Sequence, residues 1–467
     1  MAAAASDRTD DPAAPRGSRF VRWLHRSYRA GAGANHYLVQ RVCPAGLALG
    51  AVLVVAGTLA MGQPRESVFG LCSLAGTLFL IAWLGMAARR ATVSAEREVP
   101  RHGTVGTPVA YTVRVHNAGR GRLARAWLRE LQEDPRPPLW EFVSRPEPGE
   151  RRRNRFDRTF IYYRWQWLMA RRSWFSGGDG TSEIRLPNGA ETDVTVTLTP
   201  LRRGVIRLHD LRILLPDPLG LFQRCRKVPA PAATLTVLPR RYPLPPLEMP
   251  GTARFQIGGE STGNSIGNDG EFVGLRDYRR GDPPRQIHWR SWARTGRPIV
   301  KELEDTHYPR YGLVVDTFAA GEGAEVFEDV VSVAASFAAT IDTHESLLDV
   351  MFIKDRAHVI TAGRGLARAD RLLEALAAVE PEPGADFDRL HRLVLRYRDE
   401  LTSCLVVLAG WDDLRRGFLR KLAESGIRGI PLIVGRGEPP PGVMGYWLES
   451  GELARDLRRL PTRLMPI

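Results

Sequence analysis

Residues 270–290 bring together ionisable and aromatic side chains that could do chemistry. His288 and Asp282 are residue types that a hydrolase uses for general acid–base catalysis. Arg276 and Arg285 can each donate two parallel hydrogen bonds to a carboxylate. The Gly-Asp-Pro sequence around Asp282 is typical of a turn whose aspartate accepts backbone N–H groups. The stretch therefore fits a structural ion-pair cluster, a docking surface or a catalytic site.

We favour the structural interpretation, in which Arg276, Asp282 and Arg285 hold this segment against the following domain and its exposed edge serves for docking. Removing one partner of such a pair is then expected to cost about 3–5 kcal/mol. The alternative is a membrane-bound hydrolase with a site around His288, Asp282 and Asp316, which requires His288 and Asp282 to meet in an open cleft. The chain has no G-x-x-x-x-G-K-[S/T] sequence, which excludes a P-loop ATPase.

The elements that must position these residues alternate between strands and helices after residue 310. Short apolar runs predict strands, and amphipathic runs between them predict helices. The strands are expected at 311–316, 347–353, 357–361, 405–409 and 430–434. This pattern predicts a doubly wound α/β domain over 310–440, preceded by a signature segment at 241–309 and followed by a tail at 441–467. Asp316 ends the first strand, where such sheets bind ligands.

Two apolar stretches, 42–62 and 67–88, contain no charged residue. Each is long enough to cross a bilayer core of about 30 Å as a helix, so a transmembrane hairpin is predicted over 42–88. Arginines flank both stretches, which predicts a multi-pass protein of the inner (cytoplasmic) membrane with its domains in the cytoplasm. Residues 1–41 are expected to be a basic, disordered N-terminus. The alternative, a cleaved signal peptide, is disfavoured by the second apolar stretch.

Alternating apolar and polar residues predict an immunoglobulin-like β-sandwich over 91–240, with a basic and aromatic insertion at 136–182. Arginines and aromatic residues are interleaved within 151–175. Three interpretations of them remain open: an inserted strand pair that packs on the sandwich, a membrane-surface contact, or single-stranded nucleic acid binding.

The net charge of +14 does not by itself indicate nucleic acid, which we do not expect as a partner. Only four of the 66 basic residues are lysines, a bias typical of a GC-rich genome. The four cysteines are scattered, so neither a disulfide framework nor a zinc site is predicted.

The stretch 270–294 resembles the signature of the bacterial domain of unknown function 58 (DUF58) family. The matching positions that we take as signature and docking residues are Glu271, Phe272, Arg276, Tyr278, Gly281, Asp282, Arg285, His288, Trp289 and Arg294. The resemblance implies a non-enzymatic membrane scaffold that works with a MoxR-type AAA+ ATPase. It also implies assembly with other von Willebrand factor A-like membrane proteins, in complex maturation or envelope stress response.

The predicted α/β domain resembles a von Willebrand factor A domain, whose metal site reads D-x-S-x-S. Those hydroxyl and carboxylate oxygens are the ligands that Mg²⁺ requires. Here Phe318 and Ala320 replace both serines after Asp316. We therefore expect a degenerate site without metal or cofactor, although Asp412 and Asp413 could supply further carboxylates.

Overall fold

The computed structural model describes residues 18–62, 66–88, 91–119, 121–249, 271–304, 309–318, 323–341, 346–363, 369–382, 384 and 386–466. The chain divides into two compact units, Met1–Arg240 and Arg241–Ile467. The predicted disorder of residues 1–17 lies outside the described residues.

Three helices open the first unit: α1 (Arg19–Arg41), α2 (Pro44–Gly62) and α3 (Glu66–Ala88). The expectation of disorder is wrong for residues 19–41. The Ser18 side chain accepts a hydrogen bond from the Val21 N–H and so caps α1. Leu24 and Tyr28, four residues apart on one face of the helix, pack into a hydrophobic cluster.

The helices α2 and α3 pack against one another and leave most of their apolar side chains exposed. Val54 is 66% exposed and Leu74 is 59% exposed, whereas the small residues Ala56, Ala75 and Ala82 are buried. Among the described residues, only α3 has a stretch, Phe69–Ala87, long and apolar enough to cross a membrane. The apolar stretch of α2, Pro44–Thr58, is shorter.

A β domain forms the rest of the first unit, as predicted for residues 91–240. Its strands are β1 (Val93–Glu98), β2 (His102–Thr104), β3 (Val109–Asn117), β4 (Leu123–Leu131), β5 (Phe175–Gly180), β6 (Ile184–Leu186), β7 (Glu191–Pro200), β8 (Gly204–Leu208), β9 (Asp210–Pro216), β10 (Gln223–Lys227) and β11 (Ala233–Leu238). One antiparallel sheet has the order β1-β3-β7-β5-β4-β9-β10, with β6 beside β4. A smaller sheet has the order β2-β11-β8, and its β2–β11 pairing is parallel.

Both sheets contribute to one hydrophobic core, to which the large sheet gives Val113 and Val196 and the small sheet gives Leu208 and Leu235. The alternation of buried and exposed residues along β3 and β7 is the pattern from which these strands were predicted. The prediction of a two-layered β domain is therefore confirmed.

The insertion between β4 and β5 is helical, so the expected strand pair is wrong. It contains α4 (Leu139–Ser144), α5 (Arg155–Phe160) and α6 (Tyr162–Arg172). Ile161, Trp165 and Leu168 recur at helical spacing, and they are buried against Leu24 of α1 rather than in the core of the β domain. Packing therefore accounts for the central aromatic residues of the insertion.

The turn between β9 and β10 packs against α2 and α3. The Asp217 carboxylate accepts hydrogen bonds from the backbone N–H groups of Gly220 and Leu221, both at 2.9 Å. The Leu221 carbonyl accepts from the Cys43 N–H at 3.0 Å, and the Phe222 ring lies 5.5 Å from the ring of Phe79 in α3. These contacts fix the β domain at the end of the apolar helix pair.

The described residues of the second unit form two sheets. A hairpin pairs β12 (Glu271–Asp277) with β13 (Ile299–Glu304) and encloses α7 (Trp289–Thr295). The larger sheet contains β14 (Arg310–Val315), β15 (Leu347–Lys354), β16 (Arg356–Ala362), β17 (Ser403–Ala409), β18 (Gly429–Gly435) and β19 (Tyr446–Glu449). The remaining helices are α8 (Ala324–Thr340), α9 (Ala369–Ala377), α10 (Phe387–Arg396), α11 (Asp413–Glu424) and α12 (Leu453–Arg458).

The larger sheet has the order β16-β15-β14-β17-β18-β19 and is parallel except for the β15–β16 pair. The predicted mostly parallel sheet is therefore present. The strand order reverses between β14 and β17, which is where doubly wound sheets open a crevice at their carboxyl ends.

The expected tail at 441–467 is wrong, since β19 extends the sheet and α12 buries Leu453 and Leu457. The four residues of β19 are too few for a periodic pattern to show in the sequence.

Candidate functional site

The signature residues lie on the β12–β13 hairpin and on the segment that joins its two strands. Two backbone hydrogen bonds draw this segment back onto the hairpin: Tyr278 N–H to the Pro298 carbonyl at 3.0 Å and His288 N–H to the Ile299 carbonyl at 2.8 Å. The backbone of Glu271 and Phe272 is paired in β12, and their side chains lie outside the described residues.

Asp282 organises the first half of this segment. Its carboxylate accepts two hydrogen bonds from the Arg276 guanidinium, at 2.7 and 2.8 Å, and one from the Arg279 N–H at 2.7 Å. The preceding Gly281 has φ +114°, a conformation that favours glycine. The hydrogen bonds from Arg276, followed by the one from the Arg279 backbone, lower the pKa of Asp282 to about 2. The predicted Arg276–Asp282 pair therefore exists, but it closes the segment on itself.

His288 and Asp282 do not form the acid–base pair that the hydrolase alternative requires. His288 is the N-cap of α7, and its Nδ1 lies 2.7 Å from Ser291 Oγ. Asp282 is paired with Arg276, and the fully buried Asp316 is paired with Arg415. In the described part of the chain no hydrogen bond joins any two of the three hydrolase candidates, which removes the geometric support for that alternative.

The outer face of the signature is aromatic and cationic. Trp289 is 62% exposed and stacks on Trp292, with ring centroids 5.2 Å apart, and Tyr278 is also exposed. The described carboxylates pair with none of the exposed arginines on this segment, namely Arg279, Arg280, Arg285, Arg290, Arg294 and Arg297. We call these arginines, with Tyr278, Trp289 and Trp292, the signature face.

The expectation that Arg285 locks the segment onto the α/β domain is therefore wrong. Arg285 is exposed and lies in a 3₁₀ turn, Pro284–Gln286, whose last residue is buried. The sequence could not show this, because a buried arginine and an exposed arginine can occur in the same local sequence pattern.

A second cluster lies at the point where the strand order of the large sheet reverses. Asp316 follows β14, and Asp412, which follows β17, is the N-cap of α11. Arg415, in the first turn of α11, donates from Nε to Asp316 at 2.8 Å and from Nη2 to the Phe318 carbonyl at 2.9 Å. Its Nη1 donates to Asp412. A buried guanidinium therefore joins the carboxyl ends of the two central strands.

Further contacts hold Asp316 and the two residues that follow it. The Phe318 and Ala409 N–H groups donate to the Asp316 carboxylate at 2.8 and 3.0 Å. Thr317 donates to the Ile353 carbonyl at 2.7 Å, and the Phe318 ring packs on Phe387. No described cluster of three or more His, Cys, Asp or Glu residues could hold a metal ion.

Sequence reasoning missed Arg415, because 99 positions separate it from Asp316. It also missed the buried Asp349, which accepts a hydrogen bond from Arg310 Nε at 2.6 Å. A third missed pair joins Arg97 and Glu130 in the β domain by two hydrogen bonds, at 2.8 and 3.0 Å. A charged residue inside an apolar strand was the available signal for Asp349.

No curated protein matches this chain. Among solved structures it is similar to a CARDB domain from Pyrococcus furiosus in complex with di-metal ions, at 13% identity and TM-score 0.17, over 32% of this chain and 89% of that one. It is also similar to a PapD-like domain of human CEP192, at 10% identity and TM-score 0.16, over 32% and 86% of the two chains. Residues 274–427, which include most of the signature and the central strands of the large sheet, match the family model described as "Protein of unknown function DUF58", and this match supports the family that the signature resembles.

Proposed function

We propose that this protein is a membrane-anchored scaffold of the inner membrane, with α2 and α3 as a two-helix transmembrane hairpin. The support is the exposed apolar surface of both helices, since rows of Leu, Val, Phe and Trp side chains without protein cover are typical of lipid contact. Buried alanines between apolar helices favour close packing in a bilayer. Arginine-rich flanks orient the β and α/β domains toward the cytoplasm.

Impermeant thiol labelling in intact cells tests this topology. In a background without native cysteines, Gln63→Cys, between the two apolar helices, should be modified, and Ser176→Cys, on an exposed position of β5, should not. Cys404 cannot report sidedness because it is fully buried. Labelling of Ser176→Cys without lysis would overturn the proposal.

The second unit is proposed to be a von Willebrand factor A-like domain that works without metal. Arg415 supplies positive charge between Asp316 and Asp412, where a divalent cation would otherwise neutralise carboxylates. A guanidinium carried by the chain cannot dissociate, so this domain acts as a fixed platform rather than as a metal-dependent adhesion site.

The signature face is proposed to bind a MoxR-type AAA+ ATPase, in complex maturation or envelope stress response. The observation that supports this proposal is the exposed Trp289, stacked on the half-buried Trp292, among arginines that pair with no described carboxylate. Tryptophan and arginine are the residues most enriched among those that dominate binding energy at protein interfaces. The same platform leaves room for assembly with other von Willebrand factor A-like membrane proteins.

Co-purification of the ATPase with the detergent-solubilised full chain tests this proposal. Replacing Trp289 and Trp292 by alanine should abolish recovery of the ATPase, because each such anchor contributes about 2 kcal/mol or more. The matched control is Leu414→Ala, an exposed apolar residue on α11, which should leave recovery unchanged. Equal recovery with both variants would contradict a docking role of the signature face.

A further inference from the structure

A cationic cavity lies at the end of α3, where β10 of the β domain meets the apolar helix. Its volume is about 550 Å³, and its lining includes Arg41, Met86, Ala87, Arg224, Arg226 and Lys227. None of the described residues that line it carries a carboxylate. Four basic residues therefore line one small space, where a bound anion would reduce the repulsion between like charges.

Backbone and ring contacts hold these cations in place. Arg224 Nη1 donates to the Ala87 carbonyl at 3.2 Å, and Arg226 Nη1 donates to the Ala91 carbonyl at 3.4 Å. The Arg41 guanidinium lies 4.5 Å from the ring centroid of Tyr37. A ring contact at Arg41 and a backbone hydrogen bond at Arg226 thus hold these two side chains near the end of α3 without neutralising their charge.

On the neighbouring strand, by comparison, a carboxylate neutralises the charge of an arginine. On β9, Arg212 forms an ion pair with Asp210 at 2.9 Å. By contrast, no ion pair joins Arg41, Arg226 or Lys227 to a carboxylate of the described residues.

The apolar surface begins next to the cavity. Trp83 lies one helical turn before Ala87, and Trp83, Leu84 and Leu80 are all exposed on α3. A ligand with an anionic head and an apolar tail would satisfy both surfaces at once. Basic pockets beside membrane helices on the cytoplasmic side are suited to anionic lipid headgroups.

We propose that this cavity binds the phosphate headgroup of an anionic phospholipid, with the acyl chains along α3. The inference rests on the proposed transmembrane hairpin and names the lipid class that its cytoplasmic end selects. The bound lipid would tie β10 to the bilayer and fix the β domain at the membrane surface.

Native mass spectrometry of the full chain in neutral detergent tests the proposal, with phosphatidylglycerol, phosphatidylcholine and inorganic phosphate as probes. The wild type should retain phosphatidylglycerol in preference to phosphatidylcholine. Each cation near an anionic surface contributes about fivefold to binding. The triple variant Arg41→Gln, Arg226→Gln, Lys227→Gln should therefore bind phosphatidylglycerol about 100-fold more weakly.

Two controls sharpen the result. Arg122→Gln, an exposed arginine elsewhere on the β domain, should leave binding unchanged. Arg226→Lys keeps the charge and should retain most of the affinity, which separates charge from local folding. Undiminished phosphatidylglycerol binding by the triple variant would overturn the proposal. Displacement of phosphatidylglycerol by equimolar inorganic phosphate would also overturn it, because the site would then serve a soluble anion.

The failure of this proposal is distinguishable from the failure of the membrane topology. Labelling of Ser176→Cys in intact cells would contradict the proposed membrane topology, whatever the result of the lipid experiment. If Gln63→Cys is labelled, Ser176→Cys is not, and both lipids are retained equally, the topology stands and only the proposed headgroup site is contradicted.

Discussion

Two aspartate–arginine pairs in the second unit have the same kinds of hydrogen bond but differ in their exposure to solvent. Asp282 and Asp316 each accept hydrogen bonds from one guanidinium and from backbone N–H groups. The Arg276 side chain of the first pair is 31% exposed, whereas the Arg415 side chain of the second is 6% exposed. Solvent can therefore replace part of the first interaction and almost none of the second.

The difference indicates what each pair does. The Arg276–Asp282 pair shapes a surface segment whose other arginines remain available for a partner. The Arg415–Asp316 pair joins two central strands from inside, and its guanidinium also satisfies Asp412 and the Phe318 carbonyl. The signature face is thus exposed, whereas Arg415 fills the crevice at the carboxyl ends of β14 and β17.

The largest expected effect follows removal of Arg415. Arg415→Ala leaves the Asp316 carboxylate buried without a cation and should lower the stability of the large sheet by about 3–5 kcal/mol. Hydrogen exchange of the amides in β14 and β17, measured on the full chain, reports this as a lower free energy of opening.

The matched control is the next residue. Arg416 pairs with Asp413, whose side chain is 92% exposed, so Arg416→Ala should change the same opening free energy by less than about 0.5 kcal/mol. Equal opening free energies for the two variants would show that Arg415 does not stabilise the contact between β14 and β17.

A smaller effect is expected at the surface pair. Asp282→Ala removes hydrogen bonds to a charged group that solvent partly reaches, so we expect a loss on the order of 1–2 kcal/mol. This is less than the sequence suggested, because Arg276 is partly exposed. Hydrogen exchange of residues 278–298 measures the loss, with Asp277→Ala, an exposed carboxylate on the same hairpin, as the control. A loss as large as that of Arg415→Ala would erase the distinction between the two pairs.

The contribution of Asp282 should also depend on pH. Its pKa is about 2 in the folded protein, against about 4 for an unperturbed aspartate. The stabilisation is therefore complete above about pH 4 and disappears as the pH falls toward 2. The difference in segment protection between wild type and Asp282→Asn should shrink over that range, whereas a constant difference would contradict the ion pair.

The smallest expected effect is that of magnesium. Since Arg415 already neutralises the carboxylates in the crevice, millimolar Mg²⁺ should leave the melting temperature of the wild type unchanged. A rise that Asp316→Ala abolishes would show a working metal site.

Local patterns were sufficient for most elements of the fold. The strands that contain Val113, Val196 and Val406 were predicted because alternation or a short apolar run encodes their burial directly. The helices α5 and α6 were missed because arginines and aromatic residues obscured the spacing of Ile161, Trp165 and Leu168. The strand β19 was missed because it forms by pairing with β18, and its four residues show no strand pattern of their own.

The candidate site was predictable in its residues but not in its partners. The ion pair of Arg276 with Asp282 spans six positions, and a turn brings the two together. The ion pair of Arg415 with Asp316 depends on the strand order, which places β17 beside β14. The prediction that Arg285 forms an ion pair failed because Arg285 is exposed. No local sequence pattern distinguishes an exposed arginine from a paired one.

The affinity of the full chain for a MoxR-type ATPase tests the central claim, that the signature face is presented to a partner while the crevice is closed. Arg285→Glu combined with Arg290→Glu reverses charge on the face without touching either ion pair, and Arg416→Glu reverses an exposed arginine on α11. We expect the face variant to bind at least about tenfold more weakly than wild type and the α11 variant to bind equally well. Equal affinities of all three proteins would contradict the account.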